Sequence, residues 1–497
     1  MTTIPLPPAA SKPHHRSPLV ILRNAGWLTI GRLIGDGVSF GLFIVLSRYF
    51  GPAGIGQFAY GFAIASFAAI FVSIGLDEFG VREFARGAAR EPARLLGKLL
   101  ASQFALMVLV AAGLATFLVL THASSSDVGI VLLLSAQQAL LAVARTFFIP
   151  AYAVQAMARP ALMEVGCRVA GMLVTLVLVI AFHASLVLSL VGYPIGAVAL
   201  LVMATSAGIR QVGVPRMRTS WNEIARMLRV AWPFGASDLV FLLYTRADLV
   251  ILTWLRGDAM AGIYATALKF FEVSVLPLFF LGFAAYPALS QSFQQRESTL
   301  PAAAGRLVLA FLTISSLIAW GLIFIVPSVL VPLLGDQFVS AAPVTRLMAV
   351  LVVLTALEAA LTRLLLAIHL QVIKFKLQVV ATVLNIALDL LLIPTLGIPG
   401  AIAATAIALA VVDVLYIRAA RTRLPGAPLT EVLTVFLVPL VCAVLAGTVT
   451  VWLGWAEWLV ACTSLAIFLG VAWVSGLAAR LRHGMSGQPI HVAPDES

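Results

Sequence analysis

The 497-residue chain is 61% hydrophobic and 11% charged, with a mean hydropathy of +1.05, whereas soluble domains carry roughly 25% charged residues. That composition excludes a water-soluble globule and places the chain in lipid. Its net charge of +11 raises the question of nucleic acid, which the placement of the basic residues answers below.

The chain opens on a polar, Pro-rich stretch, MTTIPLPPAASKPHHRSP, and the first apolar run lacks a small-residue cleavage site, so that run is expected to remain attached. Crossing the hydrocarbon core takes about 20 apolar residues. Fourteen runs qualify, near 24 to 46, 58 to 76, 99 to 121, 128 to 150, 161 to 182, 185 to 208 and 230 to 255 in the first half. The second half holds runs near 262 to 289, 306 to 330, 345 to 368, 376 to 394, 398 to 417, 430 to 453 and 457 to 478. Short hinges alone divide 161 to 208 and 376 to 417.

Lys and Arg collect in short cytoplasmic loops. With the N-terminus inside, 23 of the 32 basic residues fall on cytoplasmic segments, and only Arg48, Arg256 and Arg346 fall outside. One span added or missed would invert every later loop, so this asymmetry supports both the count and cytoplasmic termini. It also removes nucleic acid as a partner, since the basic residues stand where membrane topology requires them; anionic lipid headgroups are the partner their charge fits. Cys167, Cys442 and Cys462 lie in predicted spans with no CxxC and no His at ligand spacing, so neither a metal, a cofactor nor a disulfide framework is expected.

Sliding the chain by 206 residues superposes Arg23 on Arg229, Gly51 on Gly257, Ala53 on Ala259, Gly56 on Gly262 and Ala59 on Ala265 without a gap. The repeat places equivalent helix-loop-helix units at spans 1 and 2 and spans 7 and 8. Six spans separate them, so both halves share one orientation, as in parallel transporter repeats. The expected organisation is a cytoplasmic tail 1–23, an N-terminal lobe 24–208, a basic cytoplasmic linker 209–229, a C-terminal lobe 230–417, additional helices within 430–478 and a cytoplasmic tail 479–497. This is an all-α polytopic membrane protein with two six-helix lobes around a central cavity.

The stretch FGPAGIGQFAYGFAIASFAAIFVSIGLDEFGVREFAR from Phe50 to Arg86 resembles the second-helix region of bacterial polysaccharide exporters of the Wzx flippase type. RADLVILTWLRGDAMAGIYATALKFFEV from Arg246 is similar to their eighth-helix entry, and the segment from Leu364 to Ala408 to their Asn, Ile-Pro and Gly-Ala helix pair. The resemblance implies the fold of the multidrug/oligosaccharidyl-lipid/polysaccharide (MOP) superfamily, MATE-like, with no chemical step and therefore no enzyme activity. It further implies a cargo, a polyprenyl pyrophosphate-linked glycan flipped to the outer leaflet of the plasma membrane for lipopolysaccharide or exopolysaccharide assembly. Membrane lipids and polysaccharide polymerase and export proteins are the implied partners of a monomeric transport unit.

Six basic residues remain within spans: Arg32, Arg145, Arg168, Arg246, Lys269 and Arg363. Such residues normally face a bundle interior or water, because lipid exposure costs at least ~2.5 kcal/mol each. Arg32, Arg246 and Lys269 lie deepest and are expected to receive the pyrophosphate. Asp36, Asp248 and Glu272 are their expected ion-pair partners, and Glu164 is the expected partner of Arg168. A second group, Asp238, Asp389 and Asp413, with Asn385 on the face of Asp389, is suited to ion coupling, although helix packing also accounts for it. Two alternatives stay open: a MATE-like small-molecule antiporter, which would prefer an acidic cavity, and a glycan polymerase or glycosyltransferase, which would need acids on a sizeable outer loop that the sequence lacks.

Overall fold

Lipid offers the backbone no hydrogen bonds, so a spanning segment must satisfy its own N–H and C=O groups. The computed structural model, which describes residues 18–86, 91–295, 300–429, 432–433 and 457–474, accordingly shows helices joined by short turns. In chain order the longer ones are α1 (Pro18–Ser73), α2 (Leu76–Ala85), α3 (Pro92–Leu120), α4 (Ser125–Ala153) and α5 (Ala158–Ile180). Then come α6 (Leu186–Ser189), α7 (Gly192–Val212), α8 (Trp221–Arg256), α9 (Asp258–Ser274) and α10 (Leu276–Gln294). The rest are α11 (Leu300–Leu334), α12 (Ala341–Ala367), α13 (Gln371–Leu396), α14 (Ile398–Arg421) and α15 (Glu457–Val474).

Ten helical stretches among the described residues are long and apolar enough to cross a membrane, and the protein is a multi-pass membrane protein. The fourteen sequence-based spans map unevenly onto them. α1 holds the first two, α9 and α10 share the eighth, and the run at 430 to 453 lies, apart from residues 432–433, outside the described residues. α8 is more polar than the ten because it carries Asp238, Arg246 and Asp248. The hinges at 161 to 208 and 376 to 417 are real breaks: His183 adopts φ 48° between α5 and α6, and Gly397 adopts φ 64° between α13 and α14.

The 206-residue repeat is visible in the backbone. Gly51 kinks α1 at φ 64°, ψ −172°, and its counterpart Gly257 separates α8 from α9 at φ 81°, ψ 173°. Side chains rarely adopt this region, and glycine enters it freely. Each kink is followed at the fifth residue by a second paired glycine, Gly56 or Gly262. A Cβ on Gly56 would collide with the carbonyl of Asp258, and a Cβ on Gly262 with the carbonyl of Pro52. Pro52 and Asp258 are themselves repeat equivalents, so the contact is reciprocal, as across a two-fold interface.

The chain forms two compact units, to Gly262 and from Ile263. In the first, α1 packs on α3, α4, α5 and α8, and α7 on α4 and α5. Without a hydrophobic drive between helices in lipid, close backbone approach and dispersion hold such bundles. Gly171 and Gly196 provide that approach, each leaving room for a backbone atom of the facing helix, α7 and α5 respectively. Leu96, Leu100, Phe147, Phe148, Cys167 and Leu200 fill the space around them. At α1's far end Gly75, φ 77°, lets the chain cross α8 at Ala231 and Gly235.

The linker before α8 is anchored rather than free. Arg216 N–H donates to Ala93 C=O at 3.0 Å, over Gly97, whose missing Cβ makes space for the Arg216 backbone. Ser220 and Glu223 then form a reciprocal capping box at the α8 N-terminus, and Lys98 Nζ reaches Glu223 Oε1 at 2.8 Å. In the second unit α12 packs on α11 and α14, and α13 on α14. Phe311, Phe338, Leu361, Leu364 and Tyr416 are fully buried there.

Candidate functional site

In the first unit two intramembrane guanidinium groups are paired and half-exposed. Arg168, near the middle of α5 (Ala158–Ile180), lays its guanidinium across α1 at Gly35, where a Cβ would stand 3.3 Å from Nη1. Nη1 donates to Asp36 at 3.4 Å and Nη2 to Ser39 Oγ at 2.7 Å; the Ser39 hydroxyl in turn donates to Gly35 C=O at 2.8 Å. Beside this set, Arg145 Nε of α4 faces Glu164 of α5 at 3.6 Å, and Tyr152 O–H donates to the same carboxylate at 3.4 Å. The two guanidinium side chains are 50% and 46% exposed, Arg145 and Arg168 respectively. Cations within apolar helices normally face a bundle interior or a water-filled cavity.

A buried polar cluster lies nearby. The Thr146 hydroxyl sits 2.9 Å from Gln103 Oε1 and 3.4 Å from Asp77 Oδ1, and Gln103 Nε2 has no partner. On α8, Asp238 is exposed within electrostatic reach of Glu78 on α2. Arg246 is half-buried on the same helix, and Asp248, two residues on, is buried with Oδ1 accepting from Leu249 N–H at 2.7 Å.

The second unit holds Lys269 and Glu272 of α9 in an i,i+3 pair at 3.5 Å. Arg363 of α12 stands 5.1 Å over the Phe283 ring of α10, a cation–π contact, with Gly282 providing its space. Deeper in, Asn385 Nδ2 of α13 donates to Thr405 Oγ1 of α14 at 3.4 Å, and Asp389 is fully buried one turn along. Asp413 of α14 is 2% exposed, and neither of its carboxylate oxygens has a hydrogen-bond partner. Glu358 of α12 lies within electrostatic reach of it and accepts from Thr362 Oγ1 at 2.9 Å. Tyr416 O–H donates to Gln378 Oε1 at 3.2 Å, with Lys374 C=O at 3.5 Å.

The structure therefore places the nine sequence-selected residues as follows. Lys269 with Glu272 form the expected pair; Asp36 accepts from Arg168; Glu164, expected to serve Arg168 on its own helix, faces Arg145 across helices. The Arg32 side chain lies outside the described residues. Arg246 and Asp248 share α8, and Asp238 is exposed there while Asp389 and Asp413 are buried. Sequence reasoning passed over Gln103, Thr146, Asp77, Gln378 and Tyr416. The available signal was an amide, hydroxyl or acid standing alone in an apolar run. Among the described residues no group of three or more His, Cys, Asp or Glu could hold a metal ion.

The fold is that of known transporters. The chain matches the lipid II flippase MurJ in its inward closed conformation with a TM-score of 0.72 over 92% of this chain and 99% of that one, at 14% identity. An inward-facing multidrug resistance MATE family transporter of the MOP superfamily matches at 0.59, covering 80% and 95% with 14% identity. A Vibrio cholerae MATE transporter matches at 0.55, covering 83% and 99% with 15% identity. No curated protein matches the chain in sequence. Residues 21–293, more than half the chain, match the sequence profile of a family described as polysaccharide biosynthesis protein. With the helical fold, the mid-span charges and that match together, the chain belongs to the polysaccharide biosynthesis protein family.

Proposed function

We propose that the protein is a transporter that flips a polyprenyl pyrophosphate-linked oligosaccharide from the cytoplasmic to the outer leaflet of a bacterial inner membrane, with both termini cytoplasmic. The observation that carries this reading is the pair of half-exposed guanidinium groups, Arg145 and Arg168, each held at 3.4 to 3.6 Å by a single carboxylate within spanning helices. Such long, exposed ion pairs are weak. A pyrophosphate offers more acceptor oxygens and bidentate geometry, so it can displace the carboxylate without leaving a buried charge behind.

In this reading Arg145 and Arg168 join Arg32, Arg246 and Lys269 in receiving the headgroup, while Asp36, Glu164, Asp248 and Glu272 hold the cations in place between turnovers. The lobes 24–208 and 230–417 give alternating access, with the helices within 430–478 outside them. An inside-negative potential drives an anionic headgroup outward by ~2.3 kcal/mol per charge per 100 mV. The chain performs no bond chemistry. The second reading is a MATE-like antiporter of small cations, favoured by the exposed Asp238 beside Glu78.

Lipid extraction from cells with and without the gene, with mass spectrometry and leaflet assignment of polyprenyl pyrophosphate oligosaccharides, separates the two. Complete units accumulating on the cytoplasmic side in the deletion strain support the flippase. An unchanged lipid pool in a strain without a second flippase sinks it, as does full transport by a triple Arg32→Ala, Arg246→Ala, Lys269→Ala variant present at normal level.

A further inference from the structure

Residues 209–229, from the end of α7 into α8, hold five arginines and one acid, Glu223. The positive-inside rule accounts for arginines on such a segment, but it gives no reason for the apolar side chains set among them. Val214, Met217 and Trp221 are 70%, 51% and 74% exposed. One such side chain would be ordinary, whereas three within eight residues make a patch. The backbone that carries them is already pinned. Arg216 N–H donates to Ala93 C=O, Thr219 Oγ1 donates to Glu223 Oε2 at 3.1 Å, and Lys98 of α3 holds the same glutamate.

The depth of this patch follows from α3. Residues 101–120, its last twenty, contain no charged side chain, and Val119 and Leu120 at the far end are exposed, which marks one edge of the hydrocarbon core. Twenty helical residues span about 30 Å, the thickness of that core. Gly97, whose missing Cβ admits the Arg216 backbone, therefore stands four residues, about 6 Å, beyond the opposite edge. The headgroup layer is about 5 to 7 Å deep on each side. The linker thus runs beside the lipid phosphates rather than above them.

We infer that residues 214–226 dock on anionic phospholipid of the cytoplasmic leaflet, with Met217 and Trp221 entering the acyl boundary and Arg216 and Arg218 binding headgroup phosphates. Basic residues set among Trp and other apolar side chains are the composition of interfacial membrane segments. The charges fit the same occupant. Arg218 and Arg226 are exposed, with no ion pair among the described residues. Arg216 meets Glu91 only at 3.8 Å, with both side chains more than half exposed, a contact worth little beside a phosphate's oxygens. Arg229, also exposed, extends the positive field along α8. A protein partner would have to displace headgroups from that depth. Anionic lipid then sets the order of the segment joining α7 to α8, a control separate from the cargo site. The inference rests on the proposed orientation only for the name of the leaflet.

The test is photo-crosslinking of the whole chain, reconstituted without cargo in phosphatidylcholine vesicles that carry a diazirine-bearing phosphatidylglycerol or, separately, a diazirine-bearing phosphatidylcholine. Adducts are mapped by mass spectrometry. Each basic residue near an anionic surface is worth about fivefold in occupancy, so adducts on residues 214–226 should form at least about fivefold more with phosphatidylglycerol. Arg216→Gln with Arg218→Gln should bring that ratio towards one. In the native chain, about 1 M sodium chloride, where the screening length is ~3 Å, should do the same. Met217→Ser with Trp221→Ser should lower adducts from both lipids. Equal yields from the two lipids overturn the inference, as does a ratio that neither the arginine pair nor salt moves. A linker without adducts from either lipid overturns it too, and leaves the face to a protein partner. The salt arm needs no variant, so it decides the matter even where a variant fails to fold. Because no cargo is present, failure leaves the flippase reading standing, and failure of that reading leaves the lipid ratio as measured.

Discussion

The two copies of the 206-residue repeat keep their turns and part company in their polar interiors. Gly51 and Gly257 share one backbone conformation, and Gly56 and Gly262 make reciprocal approaches to Asp258 and Pro52. Inside the first unit, Arg168 and Arg145 bring cations to Asp36 and Glu164, and Asp77 has a hydroxyl. Inside the second, Asp413 has no hydrogen-bond donor, and Glu358 accepts from the Thr362 hydroxyl with Lys374 and Arg363 in electrostatic reach. A duplicated scaffold therefore keeps what geometry demands. The interior chemistry is free to diverge, with guanidinium–carboxylate pairs between helices in one half and a carboxylate without a donor in the other.

The largest effect should come from breaking what the copies share. Gly56→Leu and Gly262→Leu each place a side chain on a carbonyl of the opposite turn, and backbone cannot yield as a side-chain end does; each should cost about 3 kcal/mol or more. The paired variant should cost less than the sum, because one separation of the turns relieves both contacts. Gly113→Ala, at an exposed helical position with nothing within 4 Å, should instead stabilise by about 0.4 to 1 kcal/mol. Thermal unfolding in detergent measures all four, and equal losses at Gly56 and Gly113 would refute the steric account.

Next come two substitutions that should have opposite signs. Thr146→Val keeps shape and removes the hydroxyl that the buried Gln103 and Asp77 share, which should destabilise by about 1 to 3 kcal/mol. Asp413→Leu removes a carboxylate that has no hydrogen-bond partner to leave behind, so stability should hold or rise by about 1 kcal/mol or more. A destabilised Asp413→Leu would mean that its carboxylate is satisfied, and the contrast between the units would fail.

Much of this was legible in the sequence because lipid imposes strong rules. Apolar run length located the helices, and the glycine matches at a fixed offset located both kinks, since only glycine tolerates that backbone region. Partner choice was not legible. Spacing within one helix proposes neighbours three or four residues apart, which succeeded for Lys269 and Glu272 and missed Glu164, whose guanidinium comes from α4. Asp36 likewise accepts from α5, whose Arg168 reaches α1 across Gly35. Arg168 itself stands near the centre of α5.

That central position gives the next prediction, smaller in stability than in transport. Arg168→Gln breaks a pair whose members are 46% and 29% exposed, so unfolding should change by about 1 kcal/mol or less. Flipping of lipid-linked glycan in reconstituted vesicles should fall about tenfold, one factor of ~1.4 kcal/mol in the barrier, and Arg168→Lys should recover only part, because Lys lacks the planar fork. Full recovery by Lys would reduce Arg168 to a point charge.

The smallest effect lies at the membrane edge, where charge pairing meets water. Hydrogen bonds from Lys98 and then Thr219 hold the Glu223 carboxyl below the usual carboxylate range. A carboxyl whose folded-state value is depressed contributes stability above its unfolded value and loses it as pH falls through the folded one. The α8 capping box should therefore loosen only on the acid side of the ordinary glutamate range, with the linker at Arg216 and Ala93 following, since Lys98 and Ala93 both belong to α3. Lys98→Met should flatten this acid-side loss in hydrogen exchange of residues 216–224. If the loss keeps its full size without Lys98, the Ser220 cap rather than the cross-helix pair anchors the linker.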